Sequence, residues 1–385
     1  MTVFSLLYVT ALLIPLIVIG PQARSNGDSE PMFTVSDLGL VNGVGSCADA
    51  INDAGDVIGT MGVGKKAALS PAANHFFLWS KGRAVELPAS FAVVGINDKG
   101  QLIANEYPKD FDPFDPSMFL KFRPTIYGDG EWKGVLPKDA VSGVAVALND
   151  EGRIAGQLQG GSAQNVGKSL TPAIWSSKGY ELLSIPAPYT SGVVKGMNNR
   201  GQCVGILQTI SGQPLPTIRN QAALWDKNGV TLLGAEDGFG QSEAVAINTG
   251  GSILCKEYVV PSLQQTLGGG LSQAGFVWKD GKCSALFTPG DIALGIDATK
   301  GFIPRALNNN GAVVGKATGL NGGPVAFLWQ RHRLVDLNNL IASDTGWTLT
   351  DAKGINERGQ IVGQGKYGGE LHAFLLTPLP NSEHS

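Results

Sequence analysis

Residues 349–378 read LTDAKGINERGQIVGQGKYGGELHAFLLTP, the clearest copy of a pattern that recurs along the chain. A small residue and a bulky apolar one, Gly354 and Ile355, precede Asn356. Gly359 follows, then the pair Ile361-Val362, Gly363, a connection, and the apolar run Ala373-Phe374-Leu375. Working outward, the pattern anchors on Asn52, Asn97, Asn149, Asn198, Asn248, Asn308 and Asn356, with spacings of 45, 52, 49, 50, 60 and 48 residues. Three residues after each anchor stands a glycine: Gly55, Gly100, Gly152, Gly201, Gly251, Gly311 and Gly359. A bulky apolar residue always precedes the anchor, and only Ala or Gly stands one position earlier. Such agreement at four positions in seven copies is not chance.

Asn followed three residues later by Gly is the signature of a type I turn closed by a residue with positive φ. Such a turn joins two antiparallel strands through a three-residue hairpin with a bulge at the glycine. The strand before it, as in Val144–Leu148, alternates its side chains between two faces. A second strand follows, as in Ala312–Gly315, then a loop of variable length. The third strand ends in an aromatic at Trp79, Tyr127, Trp175, Trp225, Trp278 and Trp329, with Leu376 in that place in the last copy. A short turn such as Ser80-Lys81-Gly82 leads to a fourth strand. Four short strands per roughly 40–50 residues describe a β-propeller blade. The last copy stops at Pro380 without a fourth strand, while Phe33–Leu38 (FTVSDL) precedes the first anchor and matches the fourth strand at Leu334–Leu337 (LVDL). The predicted fold is all-β: a seven-bladed propeller of four-stranded blades over residues 33–380. The N-terminal strand closes the ring and removes an open edge.

Composition narrows the function classes. The 385 residues are 43% apolar, enough for a large core, and only 16% charged. With 29 basic and 32 acidic residues, a net charge of -3 and no long basic run, nucleic acid is not an expected partner. Val3–Gly20 carries no charged side chain. It predicts a secretory signal peptide over residues 1–25, with small residues at Ala23 and Ser25, followed by a linker over 26–32. The run also approaches the length of a membrane span, so an uncleaved anchor is the alternative and the only membrane contact expected. Residues 381–385 form a tail. Cys47, Cys203, Cys255 and Cys283 match no zinc or redox spacing, and the repeat frame puts Cys255 and Cys283 on strands separated by a third.

The units are similar to the extracellular HAF repeats of bacterial exported proteins, which take their name from a triplet present here as His372-Ala373-Phe374. The most specific match is Leu334–Pro378, with its blocks LVDLNNLI, SDTGWTLTDAKGINERGQIVG and HAFLLTP. The resemblance spans about residues 33–380. Its second and fifth units depart most, with Ala104 and Cys255 where the others have glycine. It implies export and repeat architecture but no catalytic residues.

In such a propeller the tight turns share one face and the long, variable loops share the other, where binding is expected. The loop Glu106–Arg123 offers Asp110, Asp112 and Asp115 among Tyr107, Phe111 and Phe114. A calcium loop would use such carboxylates, but Lys121 stands where the EF-hand's final Glu belongs and Pro113 breaks the pattern. An acidic loop with an aromatic staple is the plainer reading. Glycosidase-type carboxylate pairs would draw on this loop and on Glu236, Asp237, Asp291 or Asp344, though nothing in the sequence pairs them. His75 and His372 begin the third strands of the first and seventh blades, neighbours in the ring, and would suit a base or metal pair. Elsewhere that repeat position holds Arg123, Thr171, Gln221, Ala274 and Val325, which favours a structural role. The recurrent aromatics fit the core between blades and Trp132 lies near an outer strand, whereas Trp347 falls in a loop-face connection and offers a stacking surface. The Gly268-Gly269-Gly270 run lacks nucleotide-cradle spacing, and no nucleophile elbow or phosphate loop is present. The expected protein is an exported, monomeric, non-catalytic scaffold without cofactor or metal. It would bind an extracellular or cell-surface protein or carbohydrate through its loop face. The alternative is a polysaccharide hydrolase or lyase working through the loop carboxylates or the two histidines.

Overall fold

The computed structural model describes residues 31–39, 45–62, 75–112, 115, 121–160, 170–211, 217–234, 240–259, 273–286, 296–297 and 301–380. They form seven four-stranded antiparallel sheets, each ordered from an innermost first strand to an outermost fourth. The innermost strands are Ser46–Ile51, Phe91–Ile96, Ala140–Leu148, Ser191–Met197, Gly240–Ile247, Phe302–Leu307 and Trp347–Ile355. Each touches the next, and the last touches the first, so the blades close a ring. The closing blade pairs Phe33–Asp37 with Glu370–Pro378 as its fourth strand, in the register Phe33↔Pro378 to Asp37↔Phe374. The ring therefore closes as the repeat count requires. Among the described residues no helix is long and apolar enough to cross a membrane; the apolar segment 3–20 and the tail 381–385 lie outside them.

The hairpin chemistry is as predicted. Each anchor carbonyl accepts from the N–H of its glycine, as in Gly359 to Asn356 at 3.1 Å, and the seven glycines have φ of 72° to 89°. The asparagine side chains do more than turn the chain. Asn356 Oδ1 accepts from the N–H groups of Arg358 and Gln360, at 3.1 and 2.9 Å. Its Nδ2 reaches into the next blade and donates to the carbonyl of Asn52 at 3.0 Å. The same bond links Asn52 to Asn97, Asn97 to Asn149, Asn149 to Asn198, Asn198 to Asn248, Asn248 to Asn308, and Asn308 to Asn356. Seven buried amides thus form a closed hydrogen-bonded circle around the axis. Residues one place after the anchors add a partial second circle. Backbone N–H groups of Asp53, Asp98, Asp150, Thr249, Asn309 and Glu357 donate to the side chain of the next blade's equivalent residue.

Every innermost strand also carries a bulge three residues before its anchor, at Asp49, Val94, Val146, Lys195, Val245, Arg305 and Lys353. A bulge bends its strand and re-aims the extra residue. It also brings the inner strand hard against the second strand, where the repeat keeps glycine. A Cβ on Gly59, Gly156, Gly205, Gly315 or Gly363 would sit 2.0–2.2 Å from a carbonyl oxygen of that strand. Ala104 and Cys255 fill this position in the second and fifth blades, and both are buried.

The core lies between blades rather than at one centre. Val362, Ala373 and Leu375 of the seventh blade pack on Ala48, Val57, Met61 and Phe77 of the first. The recurrent aromatics belong to these layers, with Trp175, Trp225 and Trp329 buried; Trp132, on an outer strand, stacks on Phe91 at 4.3 Å. All four cysteines are unpaired, and Cys255 and Cys283 lie on strands separated by a third, as the repeat frame predicts. Burial pushes the thiols of Cys47 and Cys203 up to about 12, so both are inert at neutral pH.

Candidate functional site

The loop-face end of the seventh blade gathers the most ligand-like surface. Trp347 opens the innermost strand rather than lying in a connection, set there by a 3-10 turn at Ser343–Thr345 and by Gly346 at φ 74°. Its ring lies over Gly365, where a Cβ would come within 3.0 Å of the indole. Across the first two strands it faces Tyr367 and stacks on it, with centroids 5.0 Å apart and planes 13° from parallel. Tyr367 is 40% exposed. His372 meets both rings edge-on, at 6.1 and 5.6 Å, and its Nδ1 lies 3.0 Å from the Asp37 carboxylate. Asp344 sits on the exposed 3-10 turn that precedes Trp347.

The two histidines do not form the pair suggested by their sequence positions. His75 Nδ1 lies 2.6 Å from Glu86, and His372 pairs with Asp37. In both cases the carboxylate sits on the fourth strand of the same blade, opposite the residue two places after the histidine (Phe77↔Glu86, Phe374↔Asp37). The repeat thus uses one within-blade clasp twice. His75 opens its strand, while His372 lies two residues inside and is only 8% exposed, so its imidazole is poorly placed to exchange protons with a ligand.

The loop after Glu106 is held by aromatic packing. Tyr107 contacts Phe111 at 4.7 Å and Phe122 at 5.6 Å, and burial raises the Tyr107 hydroxyl above its ordinary value. Asp110 lies 3.5 Å from Lys121, with both side chains well exposed. Among the described residues no three His, Cys, Asp or Glu side chains are grouped to hold a metal. Asp110 and Asp112 are exposed and Asp115 half-buried, the surface of a solvated loop. Phe114, Glu236, Asp237, Asp291 and Gly268–Gly270 lie outside the described residues.

Tyr367 and Asp37 were missed by sequence reasoning. Asp37 had a signal, because FTVSDL aligns with LVDL and sets it opposite the start of the last third strand. Tyr367 had none, because only folding lays the ends of two strands side by side.

No protein-family profile and no curated protein matches the chain. Solved structures are similar to it in fold. The β-propeller domain of the Trilobed protease from Pyrococcus furiosus superposes with a TM-score of 0.51 at 11% identity, covering 92% of this chain and 100% of that one. It is described as having an open velcro topology, whereas here the N-terminal strand is hydrogen-bonded into the last blade. The Pyrococcus horikoshii acylaminoacyl peptidase matches with a TM-score of 0.51 at 11% identity over 89% of this chain, which spans only 53% of that protein. Identities this low speak for the propeller fold alone.

Proposed function

We propose that the protein is an exported, non-catalytic propeller of the HAF-repeat type. Through the loop-face end of its seventh blade it binds a carbohydrate, or a protein surface presenting one. The observation that carries this reading is the stacked Trp347–Tyr367 pair, half-exposed at the rim and backed by buried His372, which is clasped to the exposed Asp37. Aromatic faces of this kind bind through stacking and apolar contact, with a polar rim to orient the ligand. Export follows from the charge-free segment at residues 3–20. The test is a glycan array probed with the mature chain, followed by Trp347→Ala and Tyr367→Ala. Each variant is expected to weaken binding at least tenfold while leaving the melting temperature within a few degrees. Unchanged binding by both variants overturns the reading.

A polysaccharide-acting enzyme is the second reading, and among the described residues the Asp37–His372 pair is what favours it. Turnover of any polysaccharide that falls with His372→Gln, while binding is retained, would establish it instead.

A further inference from the structure

The bulged positions of the innermost strands differ sharply around the ring. Blades two, three and five present Val94, Val146 and Val245, whereas blades four, six and seven present Lys195, Arg305 and Lys353, and blade one Asp49. Two of the cations are paired. Lys353 Nζ lies 2.7 Å from Asp49, and Arg305 holds Asp351 with Nη2 at 2.8 Å and Nε at 3.3 Å, which leaves its other N–H donors uncommitted among the described residues. Lys195 is exposed and forms no ion pair with any described residue.

A fourth cation, Lys256, stands eight residues after the anchor of blade five, a place where the blades vary: Thr60, Asn105, Gln157, Ile206, Lys316 and Gln364 hold it elsewhere. Eight residues after the anchor, three blades place an amide that crosses to the next blade's inner strand. Asn105 holds both the carbonyl and the N–H of Ala145, at 2.9 and 2.8 Å. Gln157 donates to Val194 at 3.3 Å, and Gln364 to Ser46 at 3.1 Å. The fifth blade has Lys256 in that place, half-buried and without an ion pair among the described residues. Its strand packs against the inner strand of blade six, which bears Arg305, and its cross-strand neighbour is Glu243. Burial, and then the positive charge of Arg305, hold the Lys256 ammonium below its ordinary pKa; Glu243 opposes the lowering, Lys195 adds to it, and Asp351 opposes it. Where blades two, three and seven place a crossing amide, blade five thus has a half-buried cation on a strand that packs against the strand of Arg305, an arrangement that an anion would relieve.

We propose that the channel wall of blades four to six is an oxyanion-binding site in which Lys195, Lys256 and Arg305 converge on a sulfate, phosphate or carboxylate group. Arg305 is kept in place by its two-point contact with Asp351, as planar recognition of an oxyanion requires. Glu243 answers only one of the two unpaired lysines, so the wall stays net positive. This site is separate from the aromatic rim of blade seven and stands whether or not that rim binds a ligand.

The repeat supplies the control variant: Lys256→Gln installs the amide that blades three and seven already carry at this position. The intact mature chain is titrated with sodium sulfate, sodium phosphate and sodium glucuronate at constant ionic strength, and binding is read by calorimetry and by the rise in melting temperature. At least one anion is expected to bind, with affinity reduced at least tenfold in Lys256→Gln and in Lys195→Gln. Lys133→Gln, on an outer strand and paired with Glu131, is expected to match the parent. Preference for sulfate or phosphate over glucuronate assigns an inorganic or ester oxyanion, and the reverse assigns a sugar acid. Absence of binding by all three anions, or binding that survives both channel substitutions, overturns the proposal.

Discussion

The two faces of this propeller follow opposite rules. On the tight-turn face all seven blades use the same anchor residue, turn and inter-blade bond, and each anchor side chain is buried and hydrogen-bonded. On the loop face and along the inner strands the blades diverge: an aromatic stack in one, a His–carboxylate clasp in two, and a lysine in two where three others have an amide that crosses to the next blade. In a repeat protein each blade serves as a control for the others. Uniform positions carry the interfaces that close the ring, and positions that vary from blade to blade are where a use particular to this ring is to be sought.

The largest effect that would break this contrast is removal of the closing strand. A chain lacking residues 31–39 loses the pairing of Phe33–Asp37 and bares the edge of Glu370–Pro378. It is expected to lose cooperative unfolding and to aggregate, as seen by size-exclusion chromatography and circular dichroism. A monomeric, cooperative truncated chain would show that the ring needs no clasp.

Next comes the amide circle. Asn198→Ala removes acceptance from Arg200 and Gln202 and donation to Asn248, leaving two part-buried N–H groups and the buried Asn248 carbonyl without this partner. About 2–4 kcal/mol of stability should be lost in denaturant unfolding. Asn199→Ala, one residue on, alters only the outer circle with Asp150 and should cost less than about 1 kcal/mol. Equal losses would mean that the inner circle has no special weight.

A smaller loss tests the close approach behind the bulges. Gly205→Ala places a Cβ 2.0 Å from the Val193 carbonyl, so the strands must part, at a cost of about 1–3 kcal/mol. Ala104→Gly, which restores the repeat's residue in the one blade that has alanine, should shift the melting temperature by no more than a few degrees.

The smallest effect concerns pH. Burial raises the carboxyl of Asp98 above its ordinary value, with Asp53 and Asp150 adding to the rise and the N–H of Asp53 opposing it. A raised acid pKa means that ionisation costs stability, so this contribution worsens as pH climbs from the unfolded value near ~4 through the folded one. Asp98→Asn, which copies Asn199 and Asn309 in blades four and six, should therefore stabilise slightly at pH 7. Because Asp98 is exposed, solvent screening limits the gain to a few tenths of a kcal/mol. The difference should vanish below about pH 4. A gain that persisted there would show that the charge is not its source.

Much of the architecture was legible before folding, and the reason is local. A turn of Asn-x-x-Gly is encoded within four residues, and seven copies with a missing last strand fix both the blade number and the manner of closure. The site was less legible. Trp347 and His372 stand out by residue type, but their partners Tyr367 and Asp37 come from another strand and from the far end of the chain. The carboxylates of the Glu106–Arg123 loop attract notice by composition, yet Asp110 lies in solvent beside a lysine.

What the sequence alone determined is the repeat, its turns and its closed count, because backbone conformation at Asn and Gly depends on neighbours a few residues away. Only the tertiary structure decided that the anchor asparagines bond blade to blade, that each inner strand bulges at the same depth, and that the strand of Lys256 packs against the strand of Arg305. The first and last depend on which residues of neighbouring blades meet, at separations of dozens of residues, and the bulges on the register of two paired strands, so none is carried by a pattern of a few adjacent residues.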